Sequence, residues 1–310
     1  MSPVTDALRT ILPVGLMLFL GAVCRRKQLI SREGIRALKT VAVQIALPAV
    51  LLHTFAVTRY TVSDVLIPLM MYLICVIAWY LGKILGPRLG MTSRFVPFLT
   101  TGFEAGMLGY ALFNMLYGSA RTAEFARIDL GQVLFVFTLY KILLSREEGK
   151  QAAPGQLIKE MALSPIILAI VAGVILGATG LYQALVPSGV SGILDACTDF
   201  VSAPTAALIL LAIGYDLVLA DISWRGTCAV VGLRLAIMAV LGGALLLVLR
   251  LLWPEMHVEA AVILMFLLPP PFVLPVFADG KEQRAYVSAA LSVSTLVAIA
   301  GFAVLAMARL

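Results

Sequence analysis

A single carboxylate carries the first chemical question. Glu104 lies near the centre of an apolar run from Phe95 to Tyr117, inside GFEAGMLGY, residues 102–110. An ionised acid at the middle of a bilayer is costly unless it is paired, wetted or protonated, and it is retained where it handles a cation, a proton or a substrate. Gly102, Gly106 and Gly109 surround it at spacings of four and three, on one face of a helix. Small residues so placed either let a neighbouring helix approach or mark a place where the backbone opens. Thr100, Thr101, Tyr110 and Asn114 add hydrogen-bonding groups nearby.

The second stretch is LLPPPFVLP, residues 267–275. Proline lacks the amide donor and clashes with the preceding turn, at about 3 kcal/mol per residue inside a helix. Pro269, Pro270 and Pro271, with Phe272 and then Pro275, therefore predict an unwound crossing rather than a kink. In hydrocarbon the freed carbonyls must find partners or line a wet cavity. Where two broken segments meet, free amide groups at helix starts suit an anionic ligand.

Candidate partners for Glu104 are Arg234, at middle depth of its own apolar segment, and Asp129, Gln132 and Lys141 in another. An ion pair between Glu104 and Arg234 is one arrangement. An unpaired Glu104 that takes up and releases protons is the other, and would act as a coupling device. Gln44 and His53 flank Pro48. Asp195, Thr198, Asp199 and Ser202 precede Pro204, and Asp216 and Asp221 lie further along. These read as structural or interfacial, because only central depth makes an acid costly.

The elements that must position these groups follow from composition. The chain has 310 residues, of which 61% are hydrophobic and 13% charged. A soluble domain carries roughly 25% charged residues, so the class is an all-α polytopic membrane protein with the lipid bilayer as solvent. The formal charge of +6 belongs to membrane-flanking loops rather than to a nucleic-acid surface. Cys24, Cys75, Cys197 and Cys228 are scattered without metal or disulfide spacing, and His53 and His257 stand alone, so no metal site and no cofactor is expected. The first apolar run precedes Arg25, Arg26 and Lys27, the reverse of a signal peptide, and reads as a first spanning helix with its N-terminus outside.

A helix needs about 20 mainly apolar residues to cross a bilayer. Ten segments qualify, at roughly 6–24, 38–57, 64–86, 94–117, 123–144, 161–180, 193–219, 225–252, 257–278 and 285–308. Basic residues concentrate in alternate connections, above all Arg25, Arg26, Lys27, Arg32, Arg36 and Lys39 in the first. This excess places those connections in the cytoplasm and both termini on the extracellular or periplasmic side. The connection SREEGKQAAPGQ begins at Ser145 and divides the chain into a first repeat at 1–144, a linker at 145–160 and a second repeat at 161–310. An odd number of helices per half inverts the second half relative to the first. Pro48 in helix two answers Pro204 in helix seven, and the glycines of helix four answer the prolines of helix nine. Interrupted segments at matching positions in two inverted halves point to a binding site.

ALPAVLLHTF, GFEAGMLGYALFNMLYG, SPIILAIVAGVILGATGL, SAPTAALILLAIGYDL, LLPPPFVLPVFAD and VSTLVAI occur in this order along nearly the whole chain. Together they resemble the auxin efflux carrier family, in its short-loop bacterial branch. The resemblance implies a ten-helix inverted-repeat fold like that of bile-acid transporters and sodium/proton antiporters. It further implies crossing helices four and nine, a scaffold and a transport domain, and elevator-type alternating access in the cytoplasmic membrane. Bacterial members look like permeases for small organic acids. Two departures bear on the site. The family's asparagine in helix four looks to be Glu104 here, with Ala111 where a proline is usual, and PPPFVLP lacks the asparagine usual in helix nine. An acid in place of an amide repels an anion unless protonated. This leaves proton-coupled transport of a carboxylate, transport of a cation or neutral solute, or a non-transporting sensor of the same fold.

The expected partner is thus a small-molecule solute, with no nucleic acid, and a homodimer is compatible with the reading. Direct ATP drive is not expected, since no G-x-x-x-x-G-K-[ST] occurs. An enzyme is not expected either. H-E-x-x-H and G-x-S-x-G are absent, and Tyr215-Asp216 supplies only half of an aspartyl protease site.

Overall fold

The computed structural model describes residues 3–58, 63–118, 121–147, 155, 159, 162–217, 224–278 and 280–308. Most of the expected linker, with Arg59, Lys150, Asp221 and Arg309, lies outside the described residues. Helices and turns account for all regular structure there, with no strand among the described residues.

The chain opens with α1 (Pro3–Arg26). Helix α2 (Arg32–Val57) begins earlier than its apolar run predicts, because Ser31 caps it by accepting from the Gly34 amide at 3.0 Å. Arg32, Arg36 and Lys39 are therefore helical rather than part of a loop. A π turn at Ala42–Ala46, closed by the Leu47 amide on the Ala42 carbonyl, absorbs Pro48 without a break. Next come α3 (Ser63–Arg88), the short α4 (Val96–Leu99) and α5, which starts as a π turn at Ala105–Gly109 and continues through Tyr110–Tyr117. Helix α6 covers Thr122–Glu147, α7 Pro165–Ala178 and α8 Leu181–Leu185. Helix α9 (Val190–Asp216) bends at Ala203–Pro204. Helices α10 (Trp224–Leu252), α11 (Glu259–Leu267) and α12 (Gly280–Ala308) complete the set, with a 3-10 turn at Leu274–Phe277 after α11.

Among the described residues six helices are long and apolar enough to cross a membrane: α2, α3, α6, α9, α10 and α12. Helices α4, α5 and α11 are shorter because helices four and nine of the sequence are interrupted in their interiors. The interruptions are unequal. Segment four keeps a one-turn piece before the break and a longer helix after it. Segment nine keeps nine helical residues before the break and only a 3-10 turn after it. The prolines at 269–271 end α11, since a proline inside a helix lacks the amide donor and clashes with the preceding turn.

The helices pack as two groups. Helices α1, α2, α7 and α9 form one, and α3, α4, α6, α10, α11 and α12 the other, with α5 packed between them against α9 on one side and α6 and α11 on the other. Each group draws on both halves of the chain. Glycine sets the close approaches, as is usual where helices meet in lipid. A Cβ on Gly21 of α1 would meet the Leu211 carbonyl oxygen at 2.1 Å, and one on Gly214 of α9 would meet that of Leu18 at 2.2 Å. In the same way Gly173 seats α7 on the Leu52 carbonyl of α2, and Gly131 seats α6 on the Pro68 carbonyl of α3. Phe95, Phe98, Phe113, Phe125, Phe135 and Tyr140 fill the interior of the second group. Large apolar side chains such as Phe19, Leu69, Phe200, Val240 and Val304 face outward. An outward face of this kind suits lipid rather than water.

Candidate functional site

The two interruptions meet. The Glu104 amide donates to the Pro269 carbonyl at 2.8 Å, so segment four is bonded directly to the proline break. The Glu104 side chain completes the joint. One carboxylate oxygen accepts from the Phe272 amide at 2.6 Å, and the other accepts from the Met107 amide at 3.2 Å. Glu104 is thus the N-cap of its own half-helix and also the cap of the chain leaving the three prolines. Both donors are amides that unwinding leaves without a helical acceptor.

Arg234 of α10 holds the other polarity. Its Nη1 donates to the carbonyls of Leu99 (3.1 Å) and Thr101 (3.4 Å), and its Nη2 to those of Gly102 (2.7 Å) and Leu268 (2.8 Å). The guanidinium lies 5.3 Å from the centre of the Phe103 ring. Arg234 is 2% exposed, and its partners are these carbonyls rather than the Glu104 carboxylate. The ion pair considered from the sequence is replaced by two separate caps, a cation on freed carbonyls and an anion on freed amides.

Glycines in the stretch divide by role. Gly102 has φ +67, a left-handed conformation, and a Cβ there would meet Pro271 at 3.0 Å. It opens the backbone and admits the proline break. Gly109 is a packing position, where a Cβ would lie 2.6 Å from Phe125 and 2.7 Å from Leu268. Gly106 has more room, with Leu47 at 3.4 Å.

Asp129 and Gln132 stand behind the joint. Gln132 donates to Asp129 at 2.9 Å, and its carbonyl oxygen accepts from the Phe103 amide at 3.4 Å. The Tyr110 hydroxyl donates to the other Asp129 oxygen at 2.9 Å. This chain fixes the residue next to Glu104. Asn114 sits farther along α5 and accepts from the Thr122 hydroxyl at 2.7 Å. Thr101 donates to the Cys75 carbonyl at 2.6 Å, and Lys141 lies over the Phe137 ring. Pro269, Pro270 and Pro271 are buried, whereas Glu104, Phe272 and Pro275 are partly exposed.

A cavity of about 380 Å³ reaches the proline break from one side of the molecule. Phe272 and Pro275 line it, together with Arg25, Arg32, Arg36 and Lys39. Arg25 donates to the Tyr215 and Leu217 carbonyls at 3.2 and 2.7 Å, and Lys39 pairs with Asp216. Arg32 and Arg36 have exposed side chains and no side-chain partner among the described residues. In the sequence these cations report only orientation. Their spacing of four and three on one helix face was the available signal for a shared lining.

His53, Asp195 and Tyr182 form a separate cluster. The His53 Nε2 and an Asp195 oxygen are 2.8 Å apart, and the Tyr182 hydroxyl donates to the same oxygen. Desolvation first, then the Asp195 carboxylate, pushes the Tyr182 phenol up to about 12. This cluster ties α8 to α2 and α9, in keeping with a structural reading of His53 and Asp195.

The fold is that of a multi-pass membrane protein built around a polar joint between broken helices. The chain belongs to the auxin efflux carrier family, since the family model described as "Membrane transport protein" matches residues 6–306. That family is one of transporters rather than enzymes. No curated protein matches the chain in sequence.

Proposed function

We propose that this chain is a secondary transporter that moves a small carboxylate across the cytoplasmic membrane by elevator-type alternating access, with Glu104 as its proton-coupling acid. One observation carries the reading. The Glu104 carboxylate caps the Phe272 and Met107 amides where the broken segments join, and Phe272 in turn lines a cavity shared with Arg25, Arg32, Arg36 and Lys39.

The chemistry follows from the caps. Hydrogen bonds to an ionised acceptor are about twice as strong as neutral ones. A proton on Glu104 weakens its hold on both amides and removes the charge that would repel an anion. The carboxylate of a solute can then take the amides that Glu104 releases. Deprotonation restores the internal cap and expels the solute, so proton and anion travel together. The basic cavity raises the local concentration of anions, which favours a carboxylate over a cationic or neutral solute.

The two helix groups suit this cycle. Helices α3, α4, α5, α6, α10, α11 and α12 hold the joint and would move as the transport body, against a scaffold of α1, α2, α7 and α9. In this reading the chain crosses ten times in two inverted repeats of five, and the excess of basic residues around the cavity favours a cytoplasmic opening with both termini on the other side. Proteoliposomes offered labelled mono- and dicarboxylates under an imposed pH gradient test the reading. Accumulation above equilibration, collapsed by a protonophore, is the expected result. Binding to purified protein without accumulation would identify a sensor instead.

A further inference from the structure

Arg234 is used by none of the chemistry above, although it is buried at the centre of the joint. We propose that its guanidinium is a tethered cation that permanently fills the position where a carrier of this architecture would load an alkali ion, so that neither sodium nor potassium takes part in the cycle. The part that concerns the cycle rests on the transport reading; the part that concerns the filled cation position does not.

Four carbonyl oxygens converge on the guanidinium. Leu99, Thr101 and Gly102 come from the end of α4 and the unwound stretch after it, and Leu268 is the C-cap of α11. Carbonyls released where helices end carry partial negative charge, and unwound carbonyls of this kind coordinate coupling cations in transporters with broken helices. Left empty, the cluster would hold four acceptors without donors in a medium that supplies none. The planar fork of arginine satisfies carbonyls from both segments at once, and Nη2 alone bridges Gly102 to Leu268. A lysine ammonium has one nitrogen with three donors and would leave at least one of the four carbonyls without a bond.

The cation also cannot leave. Arg234 sits within the 29-residue α10, which packs against α4, α11 and α12 of the same group. It therefore accompanies the joint wherever that group moves. The acids that face this region are engaged elsewhere, Glu104 with two amides and Asp129 with Gln132 and Tyr110. The charge of Arg234 is met by backbone dipoles rather than by a carboxylate that a competing ion could share.

The experiment uses purified full-length protein and two readouts. Thermal unfolding of the wild type is compared in sodium, potassium and N-methylglucamine chlorides at equal ionic strength, alongside uptake in the same salts. The expected result is the same melting temperature and the same uptake in all three. A melting temperature raised by sodium or potassium would overturn the proposal, because the position would then still accept a free ion. Arg234→Ala is expected to melt lower and to lose about tenfold or more in uptake, the scale of a lost charge-assisted hydrogen bond. Low concentrations of guanidinium or methylguanidinium should raise its melting temperature while leaving that of the wild type unchanged. No such selective stabilisation would overturn the proposal, and if Arg234→Ala does not fold, the wild-type comparison decides. A failure of uptake with every solute would count against the transport reading alone, since the melting comparisons stand without it.

Discussion

Glu104 and Arg234 divide the work of an interrupted backbone by sign. The carboxylate takes amides that have lost their helical acceptors, and the guanidinium takes carbonyls that have lost their helical donors. Each such charge-assisted bond is worth about 1.5–3 kcal/mol, enough to hold an unwound stretch in hydrocarbon. Gly102 is the residue whose backbone allows the two stretches to meet. Gly102→Ala forces a left-handed conformation on an L side chain, at about 1–2 kcal/mol, and presses on Pro271. Thermal unfolding in detergent should show that loss, whereas Gly106→Ala, with only Leu47 at 3.4 Å, should change stability by about 0.5 kcal/mol or less. Equal effects at the two glycines would contradict the assignment of Gly102 to the opening. That Glu104 needs partners was legible in the sequence, because an acid in an apolar run carries its own cost, and the Phe272 and Met107 amides are those partners. The partners of Arg234 were not, since a mid-helix arginine reports its depth but not which carbonyls surround it.

At the scale of elements, the prolines explain more than the glycines. Pro269, Pro270 and Pro271 prevent α11 from continuing, which exposes the Leu268 and Pro269 carbonyls to Arg234 and Glu104. Pro270→Ala with Pro271→Ala restores two amide donors and lets helix nine extend. Turnover should then fall to background while the protein still folds and inserts, as measured by uptake and by size-exclusion chromatography of the purified variant. Normal uptake in that variant would show that the break is incidental. The three prolines announced the break in segment nine, whereas the glycines of segment four fitted close packing and backbone opening equally. Neither pattern announced that Pro48 would be absorbed by a π turn while Pro204 bends α9, or that segment nine would resume as a 3-10 turn. Those outcomes depend on what neighbouring helices leave room for, which single-segment patterning does not contain.

For the whole molecule, the grouping of helices cuts across the two halves of the chain, and the cavity lies where the groups face each other. Helices α1, α2 and α9 contribute its cations and the Tyr215–Leu217 segment, while the proline break and α12 contribute the opposite wall. Motion of one group against the other would change access to the joint without breaking it. Arg32→Gln with Arg36→Gln removes two exposed charges from the wall without touching the joint. Transport of an anionic solute should show a KM raised severalfold, with a weaker dependence on salt and little change in kcat. An unchanged KM would mean that the solute does not pass this lining. Composition pointed to the membrane class and the ordered motifs to the family resemblance, but neither contained the grouping. That depends on backbone approaches such as Gly21 on Leu211 and Gly173 on Leu52, which link residues far apart in sequence.

The central claim is that protonation of one carboxylate opens the joint to an anion, and a paired pH profile tests it most directly. Wild-type protein and Glu104→Gln are reconstituted side by side, and initial uptake is measured across external pH. The solute should be a carboxylate whose own titration lies well outside the range covered. The wild type should take up more solute as pH falls and Glu104 gains its proton, and Glu104→Gln, which cannot titrate, should give a flat profile. A variant that keeps the wild-type pH dependence would contradict the account.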